Sequence, residues 1–275
     1  MVRSATVPRA GQSEAEVLDE RARAWAARPL LREIYRRYFA SMCAQLQRRG
    51  DDAGVIVELG GGSGNFRDYF RAQTAVRGRL ITTDVVATPH VDLAADAMAL
   101  PFEDASIDNL LMQDVLHHLP YPLRFFREAQ RVLRPGGRIV MMEPYISPAS
   151  RVVFKLAHPE PVDMRARIFP PGQEVGPDAE DPAAFTGTGA FASNQAIPTL
   201  LFYRDRPQFA RRFPGLAILA RQRRSCLVYP LSGGFSGPCL LPRWSWPLAW
   251  GVERCLAPLA GLMAFRLMVV VGKKG

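Results

Sequence analysis

Residues 55–66, VIVELGGGSGNF, restrict the fold more than any other part of the chain. An apolar, largely β-branched run ends at Glu58 and Leu59 and is followed by four glycines in five positions, from Gly60 to Gly64. Glycine loses more conformational freedom on folding than any other residue. Such a density therefore implies a tight turn, or something that approaches the backbone too closely for side chains. The apolar run reads as a buried strand and the stretch after the loop as a helix. A strand–glycine loop–helix unit belongs to doubly wound sheets, where a ligand lies over the carboxyl end of the first strand.

The neighbouring sequence continues the alternation. RLITTD (79–84), SIDNLLMQD (106–114) and GRIVMMEP (137–144) read as three further short strands. Between the last two, PYPLRFFREAQRVLRPGG is an amphipathic helix with Phe125, Ala129, Val132 and Leu133 facing inward and a Pro-Gly-Gly stop. Strands alternating with helices predict a parallel sheet covered on both faces. Upstream, residues 14–49 read as two helices, the second starting at Pro29, with Leu30, Leu31, Ile34, Tyr38 and Met42 on one face. Downstream the rhythm breaks. Residues 145–193 are rich in Pro, Gly and charge, which inside a compact domain suggests a lid or a binding insertion. A helix with Asn194 as its N-cap follows, then a strand within GLAILARQRRSCLVYPL placed as far as LVYPL, and a closing strand RLMVVVGKK. The long segment between these two contains Trp244, Trp246 and Trp250. The expected organisation is an N-terminal helical lid over 1–50 and one ligand-binding domain over 51–275, with insertions at about 145–193 and 230–263 forming a cap.

Two ligands compete for the glycine loop. A dinucleotide loop needs G-x-G-x-x-G so that a pyrophosphate can rest on the helix N-terminus. Counting from Gly60, the sixth position is Asn65; counting from Gly62, it is Arg67. Neither frame works. The pattern present is E-x-G-x-G-x-G, formed by Glu58, Gly60, Gly62 and Gly64. It resembles motif I of the class I S-adenosylmethionine-dependent methyltransferases, in the bacterial type 11-like group. Asp84 ends the second strand. ADAMALPFEDASID, NLLMQDVLHHLPYP and REAQRVLRPGGRIVMMEP follow in the family's order, so that the resemblance covers about residues 50–145. It implies an α/β fold: a doubly wound, mostly parallel, Rossmann-like sheet of seven strands, with N-terminal helices and cap insertions after strands five and six. It implies S-adenosyl-L-methionine as cofactor, with its methionine and ribose parts against the loop Gly60, Gly61, Gly62 and Gly64. Asp84 would hold the ribose hydroxyls, Asp96 the adenine amino group, and the Ala97–Met98 backbone the ring. Gln113 and Asp114 would face the methionine end, and Glu58 would support the loop by bonding to its backbone.

Methyl transfer from a sulfonium needs alignment and desolvation more than acid–base help, although an alcohol or phenol acceptor benefits from a base. The expected candidates are His117 and His118, at the rim of the cleft, with Glu143 and Tyr145 at the end of the fifth strand. His158, Asn194, Gln195, Phe235 and Trp246 are the expected acceptor contacts, the tryptophan and phenylalanine walling a bulky or lipid-like body. No residues are assigned to a metal. Cys43, Cys226, Cys239 and Cys255 lack the spacing of a zinc site and read as free thiols.

The net charge of +9 is uneven. The first 50 residues carry ten basic and five acidic groups, residues 51–148 nine and thirteen, and residues 149–275 sixteen and eight. Basic ends suit an anionic membrane surface, a phosphorylated substrate or nucleic acid. The N/D-P-P-Y/F tetrad of base-methylating enzymes is absent, with QDVLHH in its place, so nucleic acid ranks last. The expected protein acts in the cytoplasm, with peripheral membrane contact, on a small or lipid-linked hydrophobic acceptor, most simply at oxygen. Nothing in the sequence calls for an obligate protein partner. A catalytically silent cofactor-binding subunit is the alternative.

Overall fold

The computed structural model describes residues 14–157, 160–169, 183–185, 192–235 and 237–275. Seven strands, β1 (Asp52–Leu59), β2 (Arg77–Asp84), β3 (Leu93–Ala94), β4 (Ile107–Gln113), β5 (Leu133–Pro144), β6 (Leu216–Arg224) and β7 (Arg266–Lys273), form one sheet in the order β3-β2-β1-β4-β5-β7-β6. Neighbours from β3 to β5 are parallel, and β7 is antiparallel to both β5 and β6. The chain leaves β1 toward β2 and β3, then returns to the other side of β1 for β4. This is the switch point at which the carboxyl ends of β1 and β4 diverge and leave a crevice.

Central strands of such a sheet are covered on both faces and therefore read as unbroken apolar runs. Ile139 to Met142 of β5 and Leu267 to Val269 of β7 have no exposed surface. The covering helices are α1 (Glu14–Ala27), α2 (Pro29–Cys43), α3 (Asn65–Ala72), α4 (Pro122–Val132), α5 (Pro148–Ala157), α6 (Ile197–Thr199), α7 (Arg206–Arg212), α8 (Val228–Leu231), α9 (Trp246–Cys255) and α10 (Ala260–Met263). A π-helical turn, Leu200–Arg204, joins α6 to α7. One core unites Phe125 and Phe126 of α4 with Phe202 and Phe209; the Phe126 and Phe209 rings meet edge to face at 4.9 Å. The other core, on the opposite face, unites Leu31, Ile34, Phe39 and Met42 of α2 with Phe66 and Phe70 of α3. Each such side chain contributes about 1.5–3 kcal/mol of burial, so α2 is part of the core. By contrast α1 sends Leu18 and Arg21 to the wall of the crevice.

Two expected boundaries are corrected. LVYPL is not strand: β6 ends at Arg224, Ser225 takes a left-handed φ of 64°, and Val228–Leu231 is helical. The cause lies elsewhere in the sequence. The Glu253 carboxylate accepts the amides of Cys226, Leu227 and Val228 at 2.7–2.9 Å and so satisfies the donors of a helix start. The Pro-Gly-Gly stop after α4 is also absorbed into β5, which begins at Leu133 and carries an irregularity where Gly136 takes a φ of 80°. No helix among the described residues is long and apolar enough to cross a membrane.

Candidate functional site

A cavity of about 510 Å³ lies over the carboxyl ends of β1, β2 and β4. Its floor is the glycine loop. Gly60 has a φ of 77° and Gly64, the N-cap of α3, a φ of 72°, a region that side chains rarely adopt. A methyl group on Gly60 would run into the Val115 side chain; on Gly61 it would lie 2.9 Å from Glu58 Oε2, and on Gly62 2.7 Å from Asp84 Oδ2. The glycines are thus required by the chain's own packing as well as by any ligand. Gly60 and Gly61 line the cavity, whereas Gly62 and Gly64 do not.

Around this floor the chain places Glu58, Asp84, Asp96, Ala97, Met98, Gln113 and Asp114 in the cavity wall. Asp84 holds the loop: its Oδ2 accepts Gly62 N and its Oδ1 accepts Val86 N, both at 2.9 Å. Burial raises the Asp84 carboxyl above the usual range, and these amide bonds partly offset it. Asp96 Oδ1 accepts Met98 N at 2.8 Å and turns the chain so that Ala97 and Met98 edge the cavity. Glu58 does not bond to loop backbone, contrary to expectation. Its Oε2 is buried without a hydrogen-bond partner, and burial together with the Asp84 charge pushes its pKa up to about 8. Both amide atoms of Gln113 are likewise buried without partners. Unsatisfied buried polar groups cost about 1–3 kcal/mol each. Here they line one cavity and ask for a polar ligand.

Asp114 sits at the end of β4 with a φ of 58°, a strained value for a residue other than glycine. It accepts Tyr35 Oη at 2.9 Å and pairs with Arg266 of β7 at 2.5 Å. Burial alone would raise its pKa, but the Arg266 charge, the His117 charge and the hydrogen bonds from Arg266 and Tyr35 together outweigh this and the net shift is downward. Arg266, 3 % exposed, also lies against the Tyr229 and Tyr38 rings at 5.3 and 5.8 Å. Sequence reasoning missed Tyr35, Tyr229 and Arg266. The signal for Arg266 was a charge directly before the apolar run LMVVV, which burial on both faces makes expensive unless paired.

The second half of the cavity is built around the histidines, which the 3₁₀ turn Leu116–His118 presents. Glu143, wholly buried at the end of β5, accepts the amides of Val115 and Leu116 at 2.9 Å through Oε1 and holds His117 Nδ1 at 2.7 Å through Oε2. His117 Nε2 faces Glu160 Oε2 at 3.4 Å. Burial alone would depress the His117 pKa; the two carboxylates outweigh it and push it up to about 9. With no metal ion bound, His117 is therefore an imidazolium at neutral pH, which argues against its expected role as a base. His118 Nδ1 lies 3.1 Å from the Ala192 carbonyl, and burial beside the His117 charge pushes its pKa down to about 3. It is neutral, and too weak a base to hold a proton. Glu160, which sequence reasoning missed because it lies in the irregular insertion, is 5 % exposed and accepts the Gln195 amide.

Of the expected acceptor contacts, Gln195 and Phe235 line the cavity together with Phe154 and Tyr229. Three other residues do not line it. Tyr145 packs on Tyr203 and under Arg223. Asn194 spends its side-chain amide on the Asp163 backbone and on Ala196 N. Trp246 donates to the Leu241 carbonyl and edges a surface groove with Arg37, Arg243, Trp250 and Arg254. His158 lies outside the described residues.

Residues 57–141 match the family model described as a methyltransferase domain. The chain is 34 % identical over 116 residues to a methyltransferase of Mycobacterium avium, a match covering 37 % of this chain and 46 % of that protein. It is 51 % identical over 47 residues to the 27-O-demethylrifamycin SV methyltransferase of Amycolatopsis mediterranei, covering 17 % of each. The chain thus spans less than half the length of these curated relatives. Among solved structures, a chain from the complex of a methyltransferase activator with a methyltransferase of Haloferax volcanii superposes with a TM-score of 0.50 at 15 % identity, covering 94 % of this chain and 95 % of that one. The cyclase SpnF superposes with a TM-score of 0.50 at 16 % identity, covering 87 % and 81 %. At these identities the structural likeness establishes the fold.

Proposed function

We propose that this chain, whose residues 57–141 match a methyltransferase-domain family model, is a class I S-adenosylmethionine-dependent methyltransferase that methylates a hydroxylated apolar acceptor. The observation that carries the reading is one continuous cavity with two chemically different halves. The half at the carboxyl ends of β1, β2 and β4 offers Asp84 and the unpartnered polar atoms of Glu58 and Gln113, with Asp96 from the chain after β3. The half beyond β4 and β5 offers Phe154, Tyr229 and Phe235, with Glu160, Gln195 and His118 as its polar points.

The first set fits S-adenosylmethionine. Asp84 and Asp96 are carboxylates suited to hydroxyl and amino donors, and Glu58 and Gln113 have hydrogen-bonding capacity the protein leaves unused. When bound, the cofactor supplies a methyl group on a good leaving group. The residues of the second set do the rest. Phe154, Tyr229 and Phe235 desolvate the acceptor, and Glu160 and Gln195 take the hydrogen bonds of its hydroxyl, whose proton would pass to the Glu160 carboxylate as the oxygen takes the methyl group. His117, held by Glu143, keeps the Glu160 carboxylate in place. Neither histidine is a ready base, so alignment and water exclusion supply most of the acceleration.

The surface supports a lipid-associated acceptor. Arg32, Arg36, Arg37, Arg243 and Arg254 surround Trp246 and Trp250 in a single groove, and Trp244 and Leu248 beside it are 81 % and 69 % exposed. Arginine and tryptophan together with exposed aliphatics suit an anionic membrane surface.

The test is transfer of isotope from methyl-labelled cofactor to hydroxylated apolar metabolites and lipids extracted from cells. Labelled ether products that disappear in Gln195→Ala and Glu160→Gln proteins, with cofactor affinity retained, support the reading. Tight cofactor binding with no labelled product from any extract would make the protein a silent binder.

A further inference from the structure

We propose that His117, His118 and Glu160 hold a divalent transition-metal ion, zinc or a metal of similar preference, at the acceptor end of the cavity. One imidazole nitrogen from each histidine and a carboxylate oxygen of Glu160 lie within 4.8 Å of one another. Adjacent residues seldom aim their side chains at one point. Here the 3₁₀ turn brings the two rings to 4.2 Å, and all three residues line the cavity.

The spacing of one of the three pairs, His117 with Glu160, suits ligation better than a bare ion pair. His117 Nε2 and Glu160 Oε2 are 3.4 Å apart. A charged N–H···O hydrogen bond closes to about 2.7–2.9 Å. Two ligands each about 2.1 Å from a tetrahedral ion are separated by about 3.4 Å.

The surrounding groups are those that orient metal-binding side chains. A ligating histidine turns its other ring nitrogen to a carboxylate or a backbone carbonyl, which fixes its tautomer and raises its basicity. His117 Nδ1 is held by Glu143 at 2.7 Å, and His118 Nδ1 by the Ala192 carbonyl at 3.1 Å. The Gln195 amide in turn fixes the Glu160 carboxylate. Glu143 is itself anchored by two backbone amides, so the first ring is positioned by the carboxyl end of an interior strand rather than by a loop. Two imidazoles and one carboxylate with a remaining position suit zinc, cobalt(II) or iron(II). Three protein ligands and a position facing a cavity are the arrangement of a site that takes a substrate oxygen. The ion's use in orienting an acceptor oxygen rests on the methyl-transfer reading above; its binding does not.

The experiment is a titration of the chelator-stripped full chain with Co²⁺, followed by visible absorption and displaced by Zn²⁺, without cofactor or acceptor. The expected result is one equivalent bound, with the intense d–d bands of low coordination. His118→Ala and Glu160→Gln should each weaken binding by more than about the hundredfold that loss of an outer-shell partner can cost. Circular dichroism separates that loss from misfolding, and the wild-type titration needs no variant. Absence of saturable binding by the wild-type chain, or equal binding by both folded variants, overturns the proposal and leaves His117 as an imidazolium clamped by two carboxylates. Because no methyl acceptor enters the assay, the metal site can fail while methyl transfer stands, and the reverse.

Discussion

Glu58 gives the most exacting test of the cofactor half. Its pKa is pushed up to about 8 by burial and by Asp84, and one carboxylate oxygen has no partner. The free protein therefore carries a neutral acid facing the cavity at pH 7. A cationic ligand beside it would draw the pKa back toward the ordinary value of 4.5, so binding would release a proton. The sign follows: affinity should rise with pH up to about 8 and then level, by up to about tenfold per unit of pH. If the bound pKa is about 6, the gain between pH 6 and pH 8 is about 25-fold, and it approaches about fiftyfold as the bound pKa falls further. Glu58→Gln keeps the shape and cannot ionise, so its curve should lose that rise. The cofactor's own amino group titrates at about 7.7–8.0, but both proteins share it, and the readout is the difference between them. Calorimetry at several pH values, in buffers of different ionisation heat, counts the proton directly. Superimposable curves for the two proteins would refute the reasoning. Stability supplies an independent check. The folded pKa lies above the unfolded one, so the folded state holds a proton that the unfolded chain has released, and stability falls as pH rises from about 4.5 to 8. Glu58→Gln should stabilise the ligand-free protein at pH 8 by on the order of 3 kcal/mol and leave its melting temperature at pH 4 unchanged.

Three further outcomes are expected. Asp84→Ala removes both the acceptor for hydroxyl donors and the Gly62 and Val86 amide bonds; charge-assisted bonds are worth about 1.5–3 kcal/mol each, so calorimetry should show at least about a tenfold loss of cofactor affinity. Arg266→Met leaves Asp114 without its cation and should cost about 3 kcal/mol in denaturant unfolding, the low end for a buried pair because Asp114 keeps 25 % of its side chain exposed; adding Asp114→Asn should restore part of the loss, and strictly additive penalties would deny the coupling. Co-sedimentation should show the protein on vesicles containing anionic lipid, released by salt and reduced at least about tenfold by Trp244→Ala with Leu248→Ala; equal partition onto neutral vesicles, or no effect of the variants, would remove the membrane surface from the reading.

The parts of the fold that were legible in the sequence are those whose cause is local. The run VIVEL, the glycines after it and the periodicity of Phe125, Ala129 and Val132 are set by strand burial, left-handed backbone and helix geometry, all of which act within a few residues. The misplaced elements have distant causes. LVYPL is rich in residues that favour strands, yet it coils because Glu253, in α9, collects its amides. Pro-Gly-Gly looks like a stop, yet it is bridged by strand pairing between Ile107 and Leu133.

The candidate site divides along the same line. Asp84, Asp96, Gln113 and Asp114 stand at strand ends, and a doubly wound sheet brings strand ends to one crevice, so their order in the sequence sufficed to gather them. The acceptor half has no such rule. Asn194 and Gln195 are neighbours with the same chemistry, yet the backbone of residue 163 consumes the first, while Glu160 turns the second toward the cavity. Trp246 carries the right surface for an apolar wall but donates to Leu241 on the outside of the molecule. His117 shows most clearly why identity alone misleads. A histidine at the rim of a cleft invites the role of base, and only the positions of Glu143 and Glu160, one on β5 and one in an irregular insertion, decide that it holds its proton. Chemistry in this half is set by which carboxylate reaches which ring, and that depends on how the insertion after β5 folds back onto the turn after β4.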